Sequence, residues 1–283
     1  MINVILRGDL GNWLFQWSFA HSLATKHHCQ IRLLTYNRWL SQGSRLSDIL
    51  KKVEIFDLDH SVEFLNWPTL LEHKLPFIDF STWITEAKSD NTDAIITPDK
   101  DTVLYGYFQS NQYFHSSARS VHEHLTRKPL SPLIEHSLLE RCRQKNSVAI
   151  HVRRGDYLKS RNHNVCSNEY YFRAIEMMQT QFTDCHFHIF SDDLEYCRKL
   201  FDQDKFYFVD LDFSRTQPGA EIRLMAECHH QIISNSSFSW WGAWLNKRPG
   251  NMVICPDKWL NDEQLNQRAK HETILPQWIQ APH

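Results

Sequence analysis

Ser147-Val148-Ala149-Ile150-His151-Val152-Arg153-Arg154-Gly155-Asp156-Tyr157 is the stretch on which the fold turns. Ser147 to Val152 is a short apolar run of strand length, and it stops at two arginines, a glycine and an aspartate. Downstream, helices expected over 169–179, 194–201, 221–228 and 239–246 alternate with strands over 186–190, 206–211, 231–234 and 252–255. That alternation argues for an α/β fold with a parallel sheet, whose ligands sit where strands end and helices begin. Arg153 and Arg154 stand at such an edge.

Upstream the same grammar opens the chain. Residues 2–6 read as a strand, Gly8-Asp9-Leu10-Gly11-Asn12 as a tight loop, and 13–26 as a helix with Leu14, Phe15, Phe19 and Leu23 on one face. Further strands are expected over 30–34 and 102–108, and a helix over 111–125. Between them, the aromatic patches and Pro68, Pro76 and Pro98 point only to short elements and loops. A proline-containing linker at 128–132 sets the domain boundary near 135, giving an N-terminal domain of 1–135 and a C-terminal domain of 136–283. No internal repeat is visible.

Composition excludes several classes. With 283 residues, 42% hydrophobic and 23% charged, the chain is neither disordered nor fibrous. A formal net charge of −2 offers no cationic field for a nucleic-acid backbone, so no nucleic-acid partner is expected. The 7 cysteines are odd in number and scattered, which suits neither a disulfide framework nor a zinc site and points to a reducing compartment. The chain starts directly in a strand, without the pattern of a secretory signal. Its longest charge-free stretch, 229–246, is too rich in Ser and Asn to span a bilayer. A cytoplasmic protein is expected, with peripheral association at the inner membrane face left open.

Four constellations carry the chemistry. In the first, paired guanidinium forks beside a turn match a diphosphate, with Asp156 steering one fork; the competing reading is a surface ion-pair cluster. The second is Ser234-Asn235-Ser236-Ser237-Phe238-Ser239-Trp240-Trp241-Gly242-Ala243-Trp244, where a strand runs into a helix start. Helix starts bind anions through unsatisfied N–H groups, and the same serines serve as caps. Trp240, Trp241 and Trp244 read as packing, since 241 and 244 share a helix face. The third is Phe190-Ser191-Asp192-Asp193, whose carboxylates either meet a ribose or base or cap the next helix. The fourth, the Gly8–Asn12 loop, is weak alone. Histidine pairs such as His229-His230 lack zinc spacing, so no metal site is expected.

Taken together and in this order, these motifs resemble those of the bacterial α-1,2-fucosyltransferases of glycosyltransferase family 11. Gly8-Asp-Leu-Gly-Asn12 with Phe15-Gln16 is similar to the family's GxLGNxxFQ, His151-Val-Arg-Arg-Gly-Asp156 to HxRRxD, Phe190-Ser-Asp-Asp193 to FSDD, and the tryptophan-rich segment to SNSSFSWWGAWL. The resemblance implies a GT-B fold, two Rossmann-like domains facing across a cleft, with GDP-fucose held mainly by the C-terminal one and the C-terminal tail packing back on the first. It further implies inverting transfer of fucose to the 2-hydroxyl of a terminal β-galactoside, in glycan or surface-polysaccharide synthesis, with no obligatory metal or other cofactor.

By the same resemblance, Arg153 holds the diphosphate, with Arg154 and Asp156 assisting and His151 beside them. Asp192 or Asp193 contacts the guanosine, Ser236, Ser237 and Phe238 lie at the phosphate-facing helix start, Asn12 reaches the phosphate or fucose, and Gly11, Ser191 and Asn235 also belong to the donor-binding set. The general base is open among Asp9, Asp156, His151 and Glu221. Asp9 and Trp13 depart from the family's GGLGNQ, and Pro218-Gly-Ala-Glu221 from its usual lead into Leu224-Met225. A different nucleotide-sugar transferase and a carbohydrate-binding module are the rival readings.

Overall fold

The computed structural model describes residues 1–35, 56–58, 63–66, 82–86, 102–130, 134–211 and 218–283. Pro68, Pro76 and Pro98 lie outside them, as does the end of the expected linker. The chain divides into two compact units, Met1–Lys128 and Pro129–His283, a boundary slightly ahead of the expected 135.

Among the described residues, the first unit is built on a parallel sheet of five strands: β1 (Ile2–Ile5), β2 (Ile31–Thr35), β3 (Glu63–Asn66), β4 (Thr82–Thr85) and β5 (Thr102–Tyr105), in the order β3-β2-β1-β5-β4. All four residues of β1 are buried, as a central strand covered on both faces requires. Helix α1 (Leu10–His27) follows, and it ends where His28 turns left-handed and its N–H bonds the Ala24 carbonyl. Sequence periodicity suggests a one-sided helix, yet α1 is buried through most of its length, including Gln16, Ser18, His21 and Ser22. The cause is a second layer: Phe15 meets Phe114, and Phe19 meets Phe108 and Tyr113 at ring-centroid distances of 4.9 Å. The helix expected over 111–125 is two pieces, a 3-10 turn at Asn111–Ser117 and α2 (Ala118–Thr126), because Phe114 leaves helical geometry to enter this core.

The second unit holds a parallel sheet of six strands: β6 (Ser147–Val152), β7 (His186–Ser191), β8 (Phe206–Phe208), β9 (His230–Ile232), β10 (Val253–Pro256) and β11 (Ile279–Ala281). Their order is β11-β10-β9-β6-β7-β8. Helices α3 (His136–Arg143), α4 (Asn168–Gln181), α5 (Leu194–Leu200), α6 (Pro218–Glu227), α7 (Ser237–Leu245) and α8 (Glu263–Thr273) connect them. Ser167, Asp193, Ser236 and Asp262 cap four of these, each side-chain oxygen accepting an N–H two or three residues on. The C-terminal tail supplies β11, an edge strand of this same sheet. Among the described residues no helix is long and apolar enough to cross a membrane, and all seven cysteines are free thiols.

The tryptophans of α7 are core. Trp240 and Trp241 are fully buried and Trp244 nearly so, with Trp278 closing the group at 5.8 Å from Trp240. Trp240 donates its indole N–H to the Thr273 carbonyl at 2.7 Å, tying α7 to the end of α8.

Burial also writes a pH dependence into this unit. His188 on β7 is 2% exposed, and burial, aided by the neighbouring His186 and Arg141, lowers its pKa to about 4. Because the folded value lies below the unfolded value of 6.5, the unfolded chain binds the proton first, and stability falls as pH drops below about 6.5. His188→Phe removes this share. Between pH 7 and pH 5 the variant is expected to lose about 2 kcal/mol less than the wild type by urea unfolding; identical pH slopes would refute the assignment.

Candidate active site

The order of the second sheet places the site. From β6 the chain moves outward through β7 and β8, then returns to β9 on the other side of β6. Open α/β sheets bind ligands at such a reversal, beyond the carboxyl ends of the strands. The segments that leave β6, β7 and β9 there carry Arg153–Asp156, Asp192–Asp193 and Ser234–Phe238.

Arg153 is gripped from two sides. One terminal nitrogen, Nη2, donates to Asp156 Oδ1, while Nη1 pairs with Asp192 Oδ2 at 3.0 Å. The guanidinium also lies over the Tyr157 ring, 5.2 Å from its centroid. Asp192 does more than pair: its Oδ1 accepts the Arg154 backbone N–H at 2.8 Å. Gly155 is what allows this approach, since a Cβ there would stand 2.5 Å from Asp192 Oδ2.

Arg154 has a separate cradle. Its Nε donates to Asp193 Oδ2 at 3.1 Å and its guanidinium lies 3.2 Å above the centre of the Tyr196 ring. The other oxygen of Asp193 accepts the Tyr196 N–H, and with the capping hydrogen bond and Arg154 the Asp193 carboxyl is held below its ordinary pKa. Ser191 Oγ donates to the Val152 carbonyl and accepts the Asp193 N–H, stitching the ends of β6 and β7 together.

Two buried titratable groups line this edge. His151 bonds Ser234 Oγ through Nδ1 at 2.9 Å and stacks on Phe238. Burial first, and then the charge of Arg153, lower its pKa to about 3, so it is a neutral imidazole at pH 7. Glu221 on α6 moves the opposite way. Burial and the charge of Asp192 raise its pKa to about 8 against the opposing pull of Arg153, which makes it mainly a neutral acid at pH 7.

The structure thus brings His151, Arg153, Arg154, Asp156, Ser191, Asp192 and Asp193 to one sheet edge, with Ser236 and Phe238 at the start of α7. Ser236 Oγ accepts the Phe238 N–H, leaving the Ser237 N–H among the early donors of that helix. Three of the expected residues are engaged by protein partners. The Asn235 amide nitrogen donates to the His163 and Trp259 carbonyls and its oxygen accepts from Cys166, so the side chain cross-links three segments. Asp192 and Asp193 each pair with an arginine. Tyr157 and Tyr196 went unread as ring supports, although each follows its anchoring aspartate at a spacing of one helical turn or less.

Gly11 and Asn12 belong to the first unit. Gly11 is buried in the first turn of α1, and Asn12 is partly exposed beside Gly8, which adopts φ +71. Asp9, among the base candidates, precedes α1 as its exposed N-cap.

Comparison with known proteins gives the family and the fold. The family model described as Glycosyl transferase family 11 matches residues 77–281. The Escherichia coli protein named alpha-1,2-colitosyltransferase is 29% identical over 278 residues, covering 92% of this chain and 93% of its own length. Galactoside alpha-(1,2)-fucosyltransferase 1 of Saimiri sciureus is 28% identical over 212 residues, 70% of this chain and 55% of that longer protein. Among solved structures, NodZ alpha-1,6-fucosyltransferase soaked with GDP-fucose aligns with 90% of this chain and 94% of its own at a TM-score of 0.50 and 14% identity, a likeness of fold. The expected fold class is borne out as two α/β units with parallel sheets. With the family model spanning most of the sequence, this chain belongs to glycosyl transferase family 11.

Proposed function

We propose that this chain transfers L-fucose from GDP-fucose to the 2-hydroxyl of a terminal galactoside, forming an α-1,2 linkage with inversion at the anomeric carbon. One observation carries the reading: Arg153 is held by Asp156, Asp192 and Tyr157 at the reversal of a parallel sheet, just beyond β6, and the strand paired with β6, β9, leads into the early N–H groups of α7. As the bond from fucose to the diphosphate lengthens, negative charge gathers on the leaving group. A fixed guanidinium and oriented N–H donors stabilise that charge without reorganising.

The carboxylates support a reaction without an obligatory metal. Asp156, Asp192 and Asp193 are each turned to a guanidinium rather than gathered around a cation site. Asn12, with Gly11, meets the phosphate or fucose. For the acceptor proton, Glu221 is protonated at pH 7 and His151 is buried, which leaves the exposed carboxyls of Asp9 and Asp156. Its setting is cytoplasmic assembly of a glycan or surface polysaccharide.

The relative named for colitosyl transfer supports a second donor, colitose, on the same machinery. Calorimetry with GDP, GDP-fucose, GDP-mannose and UDP-galactose in EDTA, followed by turnover with fucosyl and colitosyl donors, tests both. Guanosine-selective binding and fucosyl turnover in EDTA are expected. Binding of the uridine nucleotide alone would overturn the donor class, and turnover abolished by EDTA and restored by Mg²⁺ would overturn the metal-free reading.

A further inference from the structure

The first sheet has its own reversal. β2 and β3 lie on one side of β1, and β5 and β4 on the other. The loops leaving the carboxyl ends of β1 and β5 therefore border the crevice where such a sheet takes ligands. One loop leads to Asn12; the other is Gly106-Tyr107-Phe108-Gln109-Ser110.

Two side-chain amides join these loops. Gln16 on α1, fully buried, accepts the Arg7 N–H at 3.1 Å and donates to the carbonyls of Arg7 and Gly106 at 3.2 and 3.0 Å. Gln109 then donates its amide N–H to Asn12 Oδ1 at 2.5 Å.

The backbone that presents Gln109 is strained. Phe108 is left-handed, at φ 53, which for a non-glycine residue persists only where its surroundings impose it. The surroundings are explicit. The Glu86 carboxylate accepts the Tyr107 and Phe108 N–H groups at 3.0 and 3.2 Å, and the Phe108 ring is buried against Phe19 and Tyr113. The Ser110 N–H closes back on the Phe108 carbonyl at 2.8 Å, leaving Gln109 at the apex of a three-residue turn.

The result is a defined orientation at Asn12. An asparagine amide offers an acceptor at one end and donors at the other. With Oδ1 taken by Gln109, the donor end, Nδ2, rests over Gly8, where a Cβ would come within 2.1 Å of it, and it makes no hydrogen bond among the described residues.

We propose that Gln109 is a positioning residue of the transfer reaction, fixing the Asn12 amide so that Nδ2 is presented as a donor to an oxygen of the nucleotide-sugar. This rests on the reading above that Asn12 meets the donor substrate. It requires a hydrogen-bond donor at 109, which glutamine supplies and an ionised glutamate does not.

The test is a double-mutant cycle in turnover on the GDP-linked sugar that the wild type uses, with Asn12→Ala, Gln109→Leu and the double variant, each checked for an unchanged melting temperature. Gln109→Leu is expected to lower kcat about 10- to 100-fold, the scale of a misplaced contact, and the double variant to be no slower than Asn12→Ala. Gln109→Glu keeps the shape and is expected to be slow at pH 7 and to recover as pH falls and its carboxyl gains a proton to donate. Losses that multiply in the double variant, wild-type kcat in Gln109→Leu, or a flat pH profile relative to wild type in Gln109→Glu would overturn the assignment. GDP binding separates this from the broader reading: a wild type that binds no guanosine nucleotide fails the function, whereas normal GDP binding with wild-type turnover in the Gln109 variants fails only the positioning role.

Discussion

Arg153→Ala is expected to lower kcat by about 10²–10³-fold, the loss typical of removing one fixed donor from a developing negative charge. The sheet should survive, because Arg153 lies beyond the end of β6 and its side chain is 26% exposed. What changes is the balance at the edge. Asp192 and Asp156 lose their shared counter-charge, and Glu221 loses the Arg153 charge that pulls its pKa down. Arg153→Lys is the sharper variant. Lysine keeps the charge but, lacking a planar fork, does not engage Asp156 and Asp192 together, so it should recover only part of the loss. Steady-state kinetics and GDP calorimetry, with a melting curve as the folding check, measure both. Wild-type kinetics in Arg153→Ala would remove Arg153 from the mechanism and with it the main support for the proposed function.

Trp240→Ala is expected to destabilise the second unit by about 3–5 kcal/mol, the usual cost of emptying a buried indole site. The substitution also removes the indole N–H that the Thr273 carbonyl accepts at 2.7 Å. Against a typical total of about 5–15 kcal/mol, such a loss brings the unit near its threshold. Trp240→Phe keeps most of the ring and should cost less, separating packing from the hydrogen bond. Urea unfolding gives the stability, and GDP calorimetry at low temperature tests whether the folded fraction still binds. Unchanged stability with lost binding would make Trp240 a ligand contact, against its complete burial.

The alternation of β6 through β10 with their helices was legible because each element carries its own local signal. Apolar runs of four to six residues read as buried strands, and side-chain caps at Ser167, Asp193 and Ser236 open three of the helices. Helix α8 and strand β11 were not legible. The sequence of α8, Glu263–Thr273, is charged and largely exposed, with no apolar stripe to betray a period, and β11 is a three-residue strand made by pairing with β10. The strand expected over 102–108 stops at Tyr105, because Gly106 and the left-handed Phe108 turn the chain toward Asn12.

The family and its motif residues were fixed by sequence alone, since Arg153-Arg154 after a strand and the tryptophan-rich segment are local patterns of residue type. The partners of those residues were decided only by the tertiary structure. Asp192 stands 39 positions from Arg153 in the chain, Glu221 lies on another helix, and Gln109 meets Asn12 across 97 residues. Parallel strand order, which depends on crossovers rather than neighbours, brings Arg153 and Asp192 beyond the ends of the paired strands β6 and β7, and Asn12 and Gln109 beyond those of β1 and β5. Charge and hydrogen bonding at a few ångströms then set what each does: Asp192 holds arginines, Asn235 cross-links loops, and Glu221 keeps its proton.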